Sequence, residues 1–217
     1  MAHIMTIANI LTAVRVIIVP FFILSVFGFS VASSISSLVL FGTAALTDYL
    51  DGWFSRKTGT GTKFGEFFDP LADKLLVGGA FISFALLPGI LVPLWLVVVI
   101  LSRELFVTIL RVVAIRKNHP IKTEFSGKVK TAVQMSSIVL ILLLLLLVRV
   151  LTASRMNAGP PLPPGGYDEW LLLFGRSGGI LYFLPLVLVS VSACLALLSM
   201  VGYIQKNRSL FLRKKKG

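Results

Sequence analysis

Cysteine is nearly missing from this chain: Cys194 is the only one in 217 residues. That excludes an intrachain disulfide framework and a cysteine-ligated zinc site. Cys194 lies in an apolar run, where a small buried hydrophobe is expected. Histidine is almost as scarce. His3 falls in the first residues and His119 precedes Pro120 in a basic connection, so neither points to chemistry. Acidic residues are few as well, nine against 21 lysines and arginines, for a net charge of +12. No internal repeat, heptad array or low-complexity tract appears beyond one proline cluster.

The basic excess is not spread as a nucleic-acid surface would need. Arg56, Lys57 and Lys63 sit in one connection; Arg116, Lys117, Lys122, Lys128 and Lys130 sit in another. Lys206, Arg208, Arg213, Lys214, Lys215 and Lys216 form the tail. If the helices alternate in direction, all three groups fall on one side. That is a positive-inside pattern with attraction to anionic lipid, and no nucleic-acid partner is expected.

What is abundant is apolar sequence. Hydrophobic residues make up 56% of the chain, and mean hydropathy is +0.93. A polytopic membrane protein is expected, all-α, as a single domain over residues 1–217. Six segments are long enough to cross a bilayer: Thr6–Phe27, Ser30–Phe54, Phe64–Leu87, Leu91–Ile115, Lys130–Leu151 and Gly179–Tyr203. The connections at Gly28–Ser30 and Pro88-Gly89 are short and uncharged, so they belong outside and both termini belong in the cytoplasm. Pro93 can start the fourth helix, where a missing N–H is harmless. Met1 to Ile4 read as an added leader, and no cleavable signal peptide is expected. Residues 152–178 carry Pro160, Pro161, Pro163 and Pro164, then Tyr167 to Trp170. They are too polar and broken to span, and suit an extracytoplasmic loop touching the membrane interface.

Five of the nine acidic residues fall between Thr47 and Lys74. Each Asp at a helix centre costs about 2.5–3.5 kcal/mol on insertion scales. Asp48 and Asp51 are three residues apart, and Asp69 and Asp73 four apart, so on helices each pair occupies one face. A tight Lys57–Lys63 loop returns the chain, which puts both pairs at similar depth on antiparallel neighbours. Four carboxylates from two helices make an oxygen-only site, suited to Mg²⁺ or Mn²⁺ rather than zinc or copper. Four negative charges balance two divalent ions, the arrangement that clamps attacking and leaving oxygens in phosphoryl transfer. Glu66 reads as a solvated loop carboxylate. Gly52 and Gly65 flank the loop, either to leave room for a nucleotide against backbone or to let helices pack. Arg56 could bind a diphosphate or pair with a nearby Asp.

From Asp48 through Gly52, Arg56, Gly65 and Asp69 to Asp73, the chain resembles the signature of the CDP-alcohol phosphatidyltransferase family. Ser55 replaces that pattern's alanine, a small-for-small change. The resemblance implies a CDP-linked lipid donor, a hydroxyl acceptor, release of CMP, and two metal ions held by Asp48, Asp51, Asp69 and Asp73. It also implies Asp73 as general base and a homodimer. Asn9 to Arg15, Asp69 to Lys74, Ser102-Arg103-Glu104 with Arg111, and Gly127 to Thr131 resemble the bacterial phosphatidylglycerophosphate synthase branch. In that branch CDP-diacylglycerol is the donor and glycerol 3-phosphate the acceptor, and the protein lies in the bacterial plasma membrane with its site facing the cytoplasm.

An anionic acceptor needs cations. Arg103 and Arg111 are eight residues apart, about two turns, and share a face of the fourth helix. Lys128 and Lys130 stand at the entry to the fifth. These four could bind the acceptor phosphate; otherwise they are snorkelling or positive-inside charges. Glu104 could pair with one of them. Asn9 and Thr12 could contact nucleotide, or instead make interhelical hydrogen bonds. Arg15, one turn deeper, could brace the carboxylates. Other acceptors remain open at this point: phosphatidylglycerol, as in a cardiolipin synthase, an inositol phosphate, or serine. A divalent-metal transporter is a remote reading, since the acids cluster near one face with no matching polar groups across.

Overall fold

A computed structural model describes residues 7–58, 63–116, 125–156 and 180–206. Among them the chain is all-helical. The helices are α1 (Ile7–Val26), α2 (Val31–Thr58), α3 (Lys63–Leu86), α4 (Leu94–Arg116), α5 (Phe125–Met156) and α6 (Ile180–Lys206). His3, His119 and most of the expected 152–178 loop lie outside the described residues; α5 continues through Met156, into the start of that loop.

Local chemistry sets the ends. Ser30 and Ser33 cap α2 reciprocally: the Ser33 N–H donates to Ser30 Oγ at 3.0 Å and the Ser30 N–H to Ser33 Oγ at 3.2 Å. After α3 the chain turns over Leu87-Pro88-Gly89-Ile90, with the Ile90 N–H on the Leu87 carbonyl at 3.4 Å. Proline presets the second position, and Gly89 takes φ 89° at the third, where a Cβ would clash. Pro93 stands just before α4 and its carbonyl accepts from the Leu96 N–H at 3.1 Å. Pro20 and Pro185 lie inside α1 and α6. Membrane helices tolerate such prolines because neighbours and local adjustment satisfy the freed carbonyl.

The helices close into a ring in which α2, α1, α3, α4, α6 and α5 follow one another, with α3 also touching α2 and α5. The core between them is apolar, built around Phe22, Phe41, Phe81, Phe84, Ile100, Ile138 and Leu142. The Phe22 and Phe41 rings meet at 5.7 Å. Gly78 and Gly79 let α3 come close to its neighbours. A Cβ on Gly79 would lie 3.1 Å from Ile23 of α1, and one on Gly78 would lie 3.1 Å from Leu101 of α4. Small residues at such seams are how helices approach in lipid.

The outer surface is apolar too: Ile17, Phe21, Leu24, Val39, Trp95, Ile109 and Leu198 all face outward. Cys194 belongs to this outer surface and is exposed, which corrects its expected burial. Its neighbours Ser192, Ala193 and Ala196 take the inward positions of that turn. An apolar run does not distinguish a protein-facing from a lipid-facing position.

Among the described residues, three helices are long and apolar enough to cross a membrane, over Val31–Leu50, Val129–Ser154 and Tyr182–Gln205. Thr12–Val26 and Lys74–Leu86 are shorter apolar stretches. The six expected segments all appear as helices, with ends shifted by a few residues. The largest shifts lengthen α5 at both ends.

Polar contacts tie the seams. Ser25 and Ser37 hydroxyls sit 3.0 Å apart between α1 and α2, and those of Ser137 and Ser192 3.1 Å apart between α5 and α6. Buried Arg149 of α5 reaches the α1–α2 turn. It donates to the Val26 carbonyl at 3.0 Å, to Ser34 Oγ at 2.7 Å and to Ser33 Oγ at 3.3 Å.

Candidate active site

The aspartate motif lies where α2 ends and α3 begins. α2 runs a full turn further than its apolar pattern, so Arg56 and Lys57 sit on its last turn rather than in a loop. Cations there complement the helix dipole. Asp48 is ten residues before Thr58 and Asp73 ten residues after Lys63, about 15 Å along each helix. Asp51 and Asp69 are seven and six residues from the same ends, about 10 Å. α2 and α3 touch, and α1 packs on both. Counted from those two ends, Asp48 and Asp73 stand at the same rise, and Asp51 and Asp69 at nearly the same rise.

For Asp51, Gly52, Arg56, Gly65, Asp69 and Asp73 the helical backbone is described and the side chains are not. The same holds for Asn9, Arg111 and Lys128.

Asp48 is described in full. Its Oδ1 lies 2.9 Å from Nη1 of Arg15, whose side chain is 0% exposed while that of Asp48 is 44% exposed. Among the described residues none of Arg15 Nε, Nη1 and Nη2 makes a hydrogen bond. This contact is an ion pair held by distance. It carries the expected brace from α1 to the motif. Thr12, one turn from Arg15, is buried.

A second polar cluster joins α4, α5 and α6. Arg103 is buried, with Nε donating to the Ala196 carbonyl and Nη2 to Ser199 Oγ, both at 2.8 Å. Its Nη1 lies 3.6 Å from Glu104 Oε1. The same Oε1 accepts the ammonium of Lys130. The expected pairing of Glu104 is therefore present, and it engages Lys130 and Arg103 together. Ser199 is seven residues from the end of α6 and Lys130 five from the start of α5, about 10 and 8 Å. If α5 and α6 run antiparallel, as alternation requires, this cluster occupies the same end of the bundle as the aspartates.

Sequence reasoning did not foresee that Arg103 is anchored on α6. Nor did it notice Arg149; the available signal was a lone arginine in the leucine run of α5. The sequence gives no signal for Gln134, one turn beyond Lys130; it is buried, and among the described residues its Nε2 has no hydrogen-bond partner.

The donor chemistry of the motif fits a hard divalent cation. Its four aspartates would offer only carboxylate oxygens, from two helices that touch.

The family profile described as CDP-alcohol phosphatidyltransferase matches residues 5–159. A probable phosphatidylglycerophosphate synthase of Mycobacterium tuberculosis is 43% identical over 142 residues, covering 64% of this chain and 66% of that protein. The CDP-diacylglycerol–glycerol-3-phosphate 3-phosphatidyltransferase of Bacillus subtilis is 42% identical over 104 residues, 48% of this chain and 53% of that one. A second Arabidopsis thaliana enzyme of that name is 31% identical over 225 residues, 98% of this chain and 84% of the relative. The matched stretch thus spans just under two thirds of the mycobacterial relative and about half of the Bacillus one. With the profile covering most of the chain and the motif on paired helices, the chain belongs to the CDP-alcohol phosphatidyltransferase family, a family of enzymes.

Proposed function

We propose that the chain transfers the phosphatidyl group of CDP-diacylglycerol to sn-glycerol 3-phosphate, giving phosphatidylglycerophosphate and CMP. The observation that supports this is the family motif, with one aspartate pair on α2 and one on α3, two helices that touch. The acceptor follows from relatives whose names specify glycerol 3-phosphate. In this reading all six helices cross a bacterial plasma membrane as one domain. Both termini and the site face the cytoplasm, and the protein is a homodimer.

Asp48, Asp51, Asp69 and Asp73 would hold two Mg²⁺ or Mn²⁺ ions. When bound, these supply charge neutralisation to the pyrophosphate and the departing CMP. Asp73 takes the proton of the acceptor hydroxyl. The hydroxyl oxygen bonds to the phosphorus bearing diacylglycerol, and the bond from that phosphorus to the bridging oxygen breaks. CMP departs with that oxygen. Arg56 holds its phosphate through a planar fork of donors. Gly52 and Gly65 leave space for the nucleotide, and Asn9 and Thr12 contact it from α1. Arg103, Arg111, Lys128 and Lys130 draw in the acceptor phosphate.

The test is purified protein in detergent with labelled CDP-diacylglycerol. Glycerol 3-phosphate, phosphatidylglycerol, an inositol phosphate and serine are offered in turn. Only the first should give labelled product with release of CMP. Asp69→Asn and Asp73→Asn should insert normally and show no turnover; near-full activity of either refutes the assignment.

A further inference from the structure

Two of the cations assigned to the acceptor phosphate already hold an anion of the protein's own. Glu104 Oε1 takes the Lys130 ammonium and lies 3.6 Å from Arg103 Nη1. We propose that Glu104 is a displaceable counter-ion: it fills the anion site between Lys130 and Arg103 until the phosphate of the acceptor takes its place. This rests on the acceptor reading above.

The cations are held by more than Glu104. Arg103 is anchored on α6 through Nε to the Ala196 carbonyl and through Nη2 to Ser199 Oγ. Its Nη1 edge remains directed at Glu104. Arg103 therefore keeps its place if the carboxylate leaves. Glu104 is the more accessible partner, with 17% of its side chain exposed against 6% for Arg103 and 7% for Lys130. Adjacent residues on a helix do not face each other, so Glu104 meets Arg103 only by bending sideways. A rotamer change takes it away again.

Energetics favour such an arrangement. Buried cations without counter-charge are costly in a low-dielectric interior. A resident carboxylate removes that cost while the site waits. A phosphate brings more charge and three acceptor oxygens, so it can satisfy both cations at once. The consequence is weaker but reversible binding of the acceptor. The product carries the same phosphate, so the returning carboxylate also helps it leave. Glu104 is thus an affinity-setting residue and takes no part in bond making.

The experiment uses the full chain in detergent and measures equilibrium binding of glycerol 3-phosphate, and of inorganic phosphate, by calorimetry without donor. Glu104→Gln should bind both about tenfold more tightly, about 1.4 kcal/mol. Its KM for glycerol 3-phosphate should fall while its KM for CDP-diacylglycerol stays constant. Glu104→Asp, which retains the charge on a shorter arm, should fall between. Glu104→Gln with Lys130→Met should lose the gain, and this uncharged pair keeps the test open should Glu104→Gln alone misfold. Unchanged or weaker binding by a folded Glu104 variant overturns the proposal, since a purely structural bridge would not tighten binding. If wild type binds phosphate and the variants tighten it, yet no phosphatidylglycerophosphate forms, the counter-ion stands and the acceptor reading falls.

Discussion

The Arg15–Asp48 pair is lopsided, and the two single substitutions should differ sharply in stability. Arg15 is wholly buried, while 44% of the Asp48 side chain is exposed. Asp48→Asn leaves a guanidinium inside the bundle whose Nε and Nη2 have no hydrogen-bond partner even in the intact protein. Stranding a buried charge costs about 3–5 kcal/mol. The Asp48 side chain is 44% exposed, so water moderates the pair, and about 2–4 kcal/mol is expected here. Arg15→Met removes the buried charge itself, and the orphaned carboxylate can be hydrated. It should cost less than about 1 kcal/mol, the usual range for a volume-conserving apolar replacement after a buried charge is removed. The double variant should recover most of the loss seen in Asp48→Asn.

The assay is reversible unfolding in mixed detergent micelles without added divalent ions, read by far-ultraviolet dichroism. Asp48→Asn and the double variant should both lose turnover if Asp48 serves the reaction, although they differ in stability, so stability and activity separate. The reasoning fails if Arg15→Met destabilises as much as Asp48→Asn, or if the double variant is worse than either single one.

Other consequences can be checked alongside. Arg103→Met removes two charged hydrogen bonds to α6 and should cost about 1–3 kcal/mol, with Ser199→Ala costing less; unfolding midpoints decide. Arg149→Leu cuts the tie from α5 to the α1–α2 turn, for a loss of about 1–3 kcal/mol, with KM for both substrates unchanged because it lies far from Asp48 along the bundle. Gly79→Ala should be nearly neutral, since the contact is the flexible end of Ile23, whereas Gly79→Leu should overpack by about 1–3 kcal/mol. Chelation should abolish turnover, and Mg²⁺ or Mn²⁺ should restore it; full activity after exhaustive chelation counts against the two-ion site.

Much of this architecture was legible because the bilayer simplifies the code. Runs of about 20 apolar residues mark helices almost by length alone, and all six appeared. The ends were less legible. α2 passes Phe54 to Thr58 and α5 begins at Phe125 rather than Lys130, because polar residues at a membrane boundary extend a helix without adding apolar signal. The motif was legible because acidic residues are rare here, and their spacing converts directly to depth on a helix. Side-chain partners were harder to foresee. Arg103 looked like a phosphate ligand, yet its main contacts are a backbone carbonyl and a serine on α6, 93 and 96 residues away. Only the helix order in space brings them together, and apolar runs do not encode that order.

That order has its own physical source. In lipid, apolar contact between helices gains little over contact with acyl chains, so polar seams and small residues must select neighbours. Each buried arginine described here bridges helices. Arg15 joins α1 to α2, Arg103 joins α4 to α6, and Arg149 joins α5 to the α1–α2 turn. Ser137 and Ser192 join α5 to α6, and Gly78 and Gly79 seat α3 between α4 and α1. These contacts reproduce nearly the whole ring. Arg15 and Arg103 also touch acidic residues, Asp48 and Glu104. The groups that tie helix to helix are therefore also groups that pair with charge in the proposed site. A substitution at either arginine removes a helix tie and a charge together, and double variants that neutralise both partners separate the two effects.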